Sequence, residues 1–181
     1  MKKSNNLGFS LIELIAVTAI ILIAAGVAGG AVSSALHARS YKAAKTIDAM
    51  IAQSKVNALS GTKNCLIIKF DTANKCYNCE LHEIKYNSES GTFYDVDEAY
   101  DVQDKIGNDK LHISCGETDI LSGGQIRLEF SMDTGRVKSL KSGDTLVLGT
   151  GVSDTTADIV FNFYSPHTIK IYKSTGEHEL L

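Results

Sequence analysis

A single carboxylate stands inside a long uncharged run. In "LGFSLIELIAVTAIILIAAGVAGGAV", residues 7–32, Glu13 is the only formal charge. An ionised acid at the centre of a bilayer costs about 2.5–3.5 kcal/mol. A segment of membrane length that keeps one therefore implies a use for it, and the available chemistry is electrostatic. A cation brought into the same apolar surroundings would offset the desolvation of the acid.

The cysteines form a second candidate set: Cys65, Cys76, Cys79 and Cys115. "CYNC" (76–79) could hold zinc or form a redox pair. No second CxxC completes a zinc knuckle, however, and no thioredoxin-like βαβ pattern follows. All four follow the apolar run, which places them outside the cytoplasm if that run is an anchor. An even count there favours disulfides over free thiols or a metal site, with three connectivities open. A hairpin turning at Asp71–Lys75 would bring Cys65 near Cys79 and leave Cys76 with Cys115. "DVDEAYD" (95–101) is rich in oxygen donors but lacks the spacing and the glycine of an EF-hand, so it reads as solvated acids.

Catalytic patterns are missing. The chain has no nucleophile elbow, P-loop or HExxH motif. Its five histidines, His37, His82, His112, His167 and His178, are scattered. The expectation is a non-enzyme with no cofactor and no metal. A net charge of −3 and a pI near 5.9 leave no global footprint for nucleic acid. Charge is unevenly spread. His37, Arg39, Lys42, Lys45 and Lys55 make a basic run broken only by Asp48, whereas eleven acids face three lysines between Glu80 and Asp119. Each run is either a solvated face or one half of a contact between copies.

These residues need elements to position them. Residues 9–32 form a 24-residue stretch; as a helix it would span about 36 Å, enough for a hydrocarbon core. A secretory signal has a shorter apolar region, about 7–15 residues, ending at a cleavage site. Gly26, Gly29 and Gly30 let helices approach closely but weaken the helix locally. Beyond Val32, Ala35, Leu36, Ala43, Ala44, Ile47, Met50, Ile51, Ser54 and Leu59 follow an i, i+3, i+4 stripe, and Gly61 supplies a stop. A continuous helix from Phe9 to Ser60 would be roughly 78 Å long.

The remainder reads as strands: 65–70, 79–84, 110–114, 125–131, 144–149, 158–164 and 168–174. Alternation is clearest in "QIRLEFS", where Ile126, Leu128 and Phe130 share a face. Turns fall at Thr134-Gly135 and Thr175-Gly176. Residues 85–109 read as a polar surface loop. The expected fold class is α+β, a long N-terminal helix packed on an antiparallel β-sheet head.

"GFSLIEL", Gly8 to Leu14, after a short basic leader, resembles the processing signal of type IV pilins and type II secretion pseudopilins. The resemblance implies cleavage between Gly8 and Phe9 by a prepilin peptidase, with N-methylation of Phe9. It implies that Glu13 meets the N-terminal amine of a neighbouring subunit during assembly. It also implies local helix melting, here at Gly26, Gly29 and Gly30, because many relatives carry a proline where this chain has Gly30. Ser10 stands where threonine is commoner.

The implied organisation is a leader (1–8), a transmembrane and polymerisation segment (9–32), an amphipathic helix (33–60) and an extracytoplasmic head (61–181). The implied partners are the prepilin peptidase, other pilin or pseudopilin subunits, an inner-membrane assembly platform and the cytoplasmic membrane. Location would shift from that membrane to a surface pilus or pseudopilus.

The order of helix, strands and a late Gly-containing hairpin is similar to the GspH/FimT branch of minor subunits. Some members of that branch bind DNA through a basic turn. Here the matching stretch is "GEHE", Gly176 to Glu179, with acids where arginines would serve phosphate. "GRVK" (135–138) has the right charge but lies in the preceding hairpin, so nucleic acid is only a secondary candidate partner. The alternative from another class is a membrane-tethered extracytoplasmic binding protein, or a tip receptor for DNA or adhesion.

Overall fold

The computed structural model describes residues 11–163 and 165–181, with the side chains of 26–37 left aside. Helix α1 (Leu11–Leu59) is followed by twelve strands and one turn of 3-10 helix at Ile120–Ser122. The chain divides into two compact units, and the division falls within α1 after His37.

In the first unit, Leu11 to Ala25 is helical with every side chain exposed. Among the described residues no helix is long and apolar enough to cross a membrane. The predicted 9–32 stretch begins two residues before the described ones, and the side chains of its residues 26–32 are left aside. Backbone helix continues through Gly26, Gly29 and Gly30.

The second unit contains the rest of α1 and the strands. Its first sheet has seven strands: β1 (Asn64–Asp71), β2 (Cys76–Asn87), β3 (Thr92–Asp95), β4 (Asp101–Ile106), β7 (Gln125–Phe130), β8 (Val137–Ser142) and β9 (Thr145–Gly149). Their order is β3-β2-β1-β7-β8-β9, with β4 also paired to β2. The second sheet has five strands: β5 (His112–Cys115), β6 (Thr118–Asp119), β10 (Thr156–Asn162), β11 (His167–Tyr172) and β12 (His178–Leu180). Their order is β12-β11-β10-β5-β6. Every pairing among the described strands of both sheets is antiparallel, as expected of short hairpin-linked strands.

The helix and both sheets share one core. Ala43, Ala44, Ile47, Met50, Ile51 and Ala58 of α1 lie in the same apolar cluster as Leu66, Tyr77, Leu81, Ile126, Leu128, Ile159 and Ile169. The inward set of β7 is Ile126, Leu128 and Phe130, as its alternation predicts. Polar contacts fix the angle of the helix. Ser54 Oγ donates to Asn64 Oδ1 at 2.6 Å, while Asn64 Nδ2 donates back to the carbonyls of Ser54 and Thr62. The end of the helix is thereby clamped to the start of β1. Gly61 then turns the chain at φ +94°, a conformation that glycine adopts without steric cost.

Three expectations need correction. Leu59 is half-exposed and Ala58 takes the buried position, because the stripe drifts by one residue over the last turn. Residues 85–109 are not a loop: they hold the end of β2 together with β3 and β4. Those two strands are mostly exposed, so backbone pairing to β2 sets their conformation, with no apolar alternation to announce them. The cysteines are free thiols, all four buried. The β1–β2 hairpin does turn after Asp71, but its register sets Cys65 opposite His82 and Cys79 opposite Ile68. That offset of three residues is about 10 Å along the strand and reverses the face. Disulfide Cα atoms lie within about 7 Å, so the predicted Cys65–Cys79 pair does not form.

Candidate functional site

Glu13 lies in the first turn of α1, exposed among exposed apolar side chains. Leu11, Ile12, Leu22 and Ile23 each show about 70% or more of their surface (78%, 75%, 73% and 69%). A contiguous apolar surface of this kind requires lipid or a protein partner. The hydroxyl of Thr18 does not spoil it, because Oγ1 donates to the Ile15 carbonyl at 2.9 Å and satisfies itself within the helix. A carboxylate near a helix N-terminus also meets the positive end of the macrodipole. The described helix can therefore bury an apolar cylinder against a partner while presenting one acid at its end. Gly8 and Phe9, the predicted cleavage and methylation positions, lie outside the described residues.

The head carries a polar constellation on the outer face of the first sheet. Arg127 of β7 bridges Asp95, at the end of β3, and Glu129, which its Nη2 contacts at 2.8 Å. Lys138 Nζ donates to the other oxygen of Glu129 at 3.2 Å. Nearby on the same face, Glu80 accepts from Lys69 at 2.9 Å and lies 3.0 Å from His82 Nε2, while His82 Nδ1 lies 2.9 Å from the Val96 carbonyl oxygen. Burial alone would raise the Glu80 carboxyl, but Lys69 and His82 outweigh it and hold the group below its ordinary value. The hydrogen bond from Arg127 does the same for Asp95.

Beneath these pairs sit Cys65, Ile67 and Ile84, a small second core. Burial pushes the Cys65 thiol up to about 12, so it is protonated and unreactive at neutral pH. Cys79 faces the main core and its thiol is raised further, again by burial. These are structural cysteines. Among the described residues no three His, Cys, Asp or Glu side chains converge as a metal site requires. The Arg127 cluster was not anticipated from the sequence. The only local signal is the alternation of β7 itself, which sends Arg127 and Glu129 to the same outer face.

The two late turns pack against each other. Gly176 and Gly135 both adopt left-handed backbone (φ +63° and +64°), and a Cβ on Gly176 would collide with the Gly135 carbonyl. "GRVK" and "GEHE" are thus neighbours, and two acids accompany the two bases. Lys138 is already paired with Glu129, which leaves Arg136 as the cation of the turn with no ion-pair partner among the described residues. A phosphate backbone is held by concentrated positive charge, and this rim is mixed.

Residues 3–29 match the model for the prokaryotic N-terminal methylation motif. Among solved structures, the chain is similar to the type IV minor pilin FimU of Pseudomonas aeruginosa in two crystal forms. The P21 form has 14% identity and a TM-score of 0.49 over 80% of this chain and 90% of that one. The P65 form has 14% identity and a TM-score of 0.46 over 78% and 91%. No curated protein matches the chain.

Proposed function

We propose that the chain is a non-catalytic minor pilin or pseudopilin, a structural subunit of a type IV pilus or a type II secretion-like filament. The observation that carries this reading is the methylation motif over residues 3–29, continued by an exposed apolar helix that holds Glu13 in its first turn. A prepilin peptidase cuts between Gly8 and Phe9, and Phe9 is N-methylated. The subunit waits in the cytoplasmic membrane and enters the filament through an assembly platform. In the filament Glu13 pairs with the Phe9 amine of a neighbour, so each charge offsets the desolvation of the other. Gly26, Gly29 and Gly30 let the helix loosen as it leaves lipid.

Mass spectrometry of the mature protein tests the processing step: the expected N-terminus is methylated Phe9, and an intact Met1 would remove the basis of the reading. Glu13→Gln tests the pairing. That variant is expected to be processed normally and to fail to assemble, whereas assembly at the parental level would rule out the electrostatic role.

A further inference from the structure

A groove of about 370 Å³ runs between the second half of α1 and the β4 edge, within the head unit. Its floor is apolar, from Ala43, Ile106, Leu111 and Phe163, and its rim carries Arg39, Lys42 and Lys105 with one acid, Asp104. It continues along α1 past Lys45. Lys105 arrives there through an irregularity in the backbone. Tyr77 pairs with Ile106 but Cys79 with Gln103, so Asp104 and Lys105 together oppose Asn78 in a β-bulge. Lys105 adopts φ +58°, an uncommon conformation for a side chain of its size. Among the described residues none of the four cations has an ion-pair partner.

Further along the same helix the sign of the surface reverses. Gln53 donates to Asp101 at 2.8 Å and Asn57 donates to the Tyr100 hydroxyl at 2.9 Å. These bonds tie the segment after β3 to α1, and just before them Asp97 and Glu98 are exposed, flanked by the exposed rings of Tyr94 and Tyr100. Lys42 and Asn57 are fifteen positions apart on the helix, roughly 22 Å along its axis. A copy turned about the helix direction to face the first and displaced by about that distance would set its cationic, apolar-floored groove against the acidic, aromatic rim of its neighbour.

The geometry points to this contact: the groove rimmed by Arg39, Lys42, Lys45 and Lys105 seats the Asp97–Glu98 rim of a second copy of this chain. The contact joins two different patches, so it is heterologous, and combined with an axial displacement it propagates as a filament and does not close into a ring. It rests on the filament reading above and gives that reading a head-to-head term beyond the Glu13–amine pairing.

The test uses full-length chain in detergent micelles, with unlabelled and 15N-labelled protein mixed and treated with a zero-length carbodiimide cross-linker. Mixed-isotope peptides joining Lys42 or Lys105 to Asp97 or Glu98 are expected. The double change Arg39→Glu, Lys45→Glu leaves the Lys42 and Lys105 amines free to react and should lower the yield of these links about tenfold or more, since like charges then face each other. Mixing that chain with Asp97→Lys, Glu98→Lys chain should give new links between the two sets of substituted positions. Links confined to one isotope, links that survive the reversal, or phosphatidylglycerol in place of a second chain in native mass spectra would overturn the contact. Methylated Phe9 without these links would sink the contact and leave the pilin reading standing; the links on an unprocessed chain would do the reverse.

Discussion

Arg127 on β7 grips Asp95 at the end of β3, although β1 and β2 lie between those strands in the sheet. The bridge therefore crosses the outer face and closes over Cys65, Ile67 and Ile84. Side-chain exposures of 19% for Arg127 and 35% for Asp95 place it between a surface pair and a buried one.

Asp95→Ala should destabilise the head by about 2 kcal/mol, less than a fully buried pair would lose because water still reaches the bridge. Arg127 would keep Glu129 as a partner, which limits the loss further. Urea unfolding of full-length protein in detergent, followed by near-UV circular dichroism, reads this directly. A double-mutant cycle with Arg127→Ala should return a coupling energy of the same sign. Additive single changes would mean that the bridge does not act as a unit.

Acid should unfold the head through these carboxylates. Asp95 is held low by the hydrogen bond from Arg127. In Glu80 and Glu129 burial pushes up, but Lys69 with His82, and Arg127 with Lys138, prevail and leave both low. A folded-state value below the unfolded one gives stability that is complete above the unfolded carboxylate values, about 4, and lost as pH falls through the folded ones. Urea midpoints should therefore hold between pH 7 and 5 and drop at pH 3. A midpoint at pH 3 equal to that at pH 7 would contradict the assignment.

What could be read from residues alone divides along physical lines. The inward set Ile126, Leu128 and Phe130 was legible because a half-buried strand must alternate. Glu13 stands out in the sequence as the one charge of an apolar run, and its pairing belongs to the proposed function. β3 and β4 were hidden, since Thr92–Asp95 and Asp101–Ile106 bury almost nothing and take their conformation from β2. The cysteine pairing failed on parity: closeness in a hairpin was legible, but the register that sends Cys65 outward and Cys79 inward was not. Lys105 joins Arg39 and Lys42 only through a bulge between distant segments, and no local pattern encodes that.

The paired late turns give a controlled comparison between two glycines. Gly176 and Gly143 have nearly the same backbone, φ +63° and +58°, but nothing lies near Gly143, whereas Gly176 abuts the Gly135 carbonyl. Gly143→Ala should cost only the backbone strain, about 1 kcal/mol. Gly176→Ala adds a collision with main chain and should cost distinctly more, about 2–4 kcal/mol, by the same urea assay. Equal losses would mean that the two turns do not pack in solution.

The thiols offer the last check, because their state distinguishes a stapled head from one held by packing alone. Cys65 and Cys115 are both pushed up to about 12 by burial, and all four cysteines are buried. At pH 8 an ordinary thiol reacts readily through its thiolate, which these two all but lack. Native protein should therefore give no colour with Ellman's reagent over minutes, and four equivalents once urea opens the fold. Two or fewer equivalents after unfolding under non-reducing conditions would mean that disulfides form. Cys65 and Cys79 could join only if β1 slipped by three residues against β2, which would turn Leu66 and Ile68 out of the core they now fill.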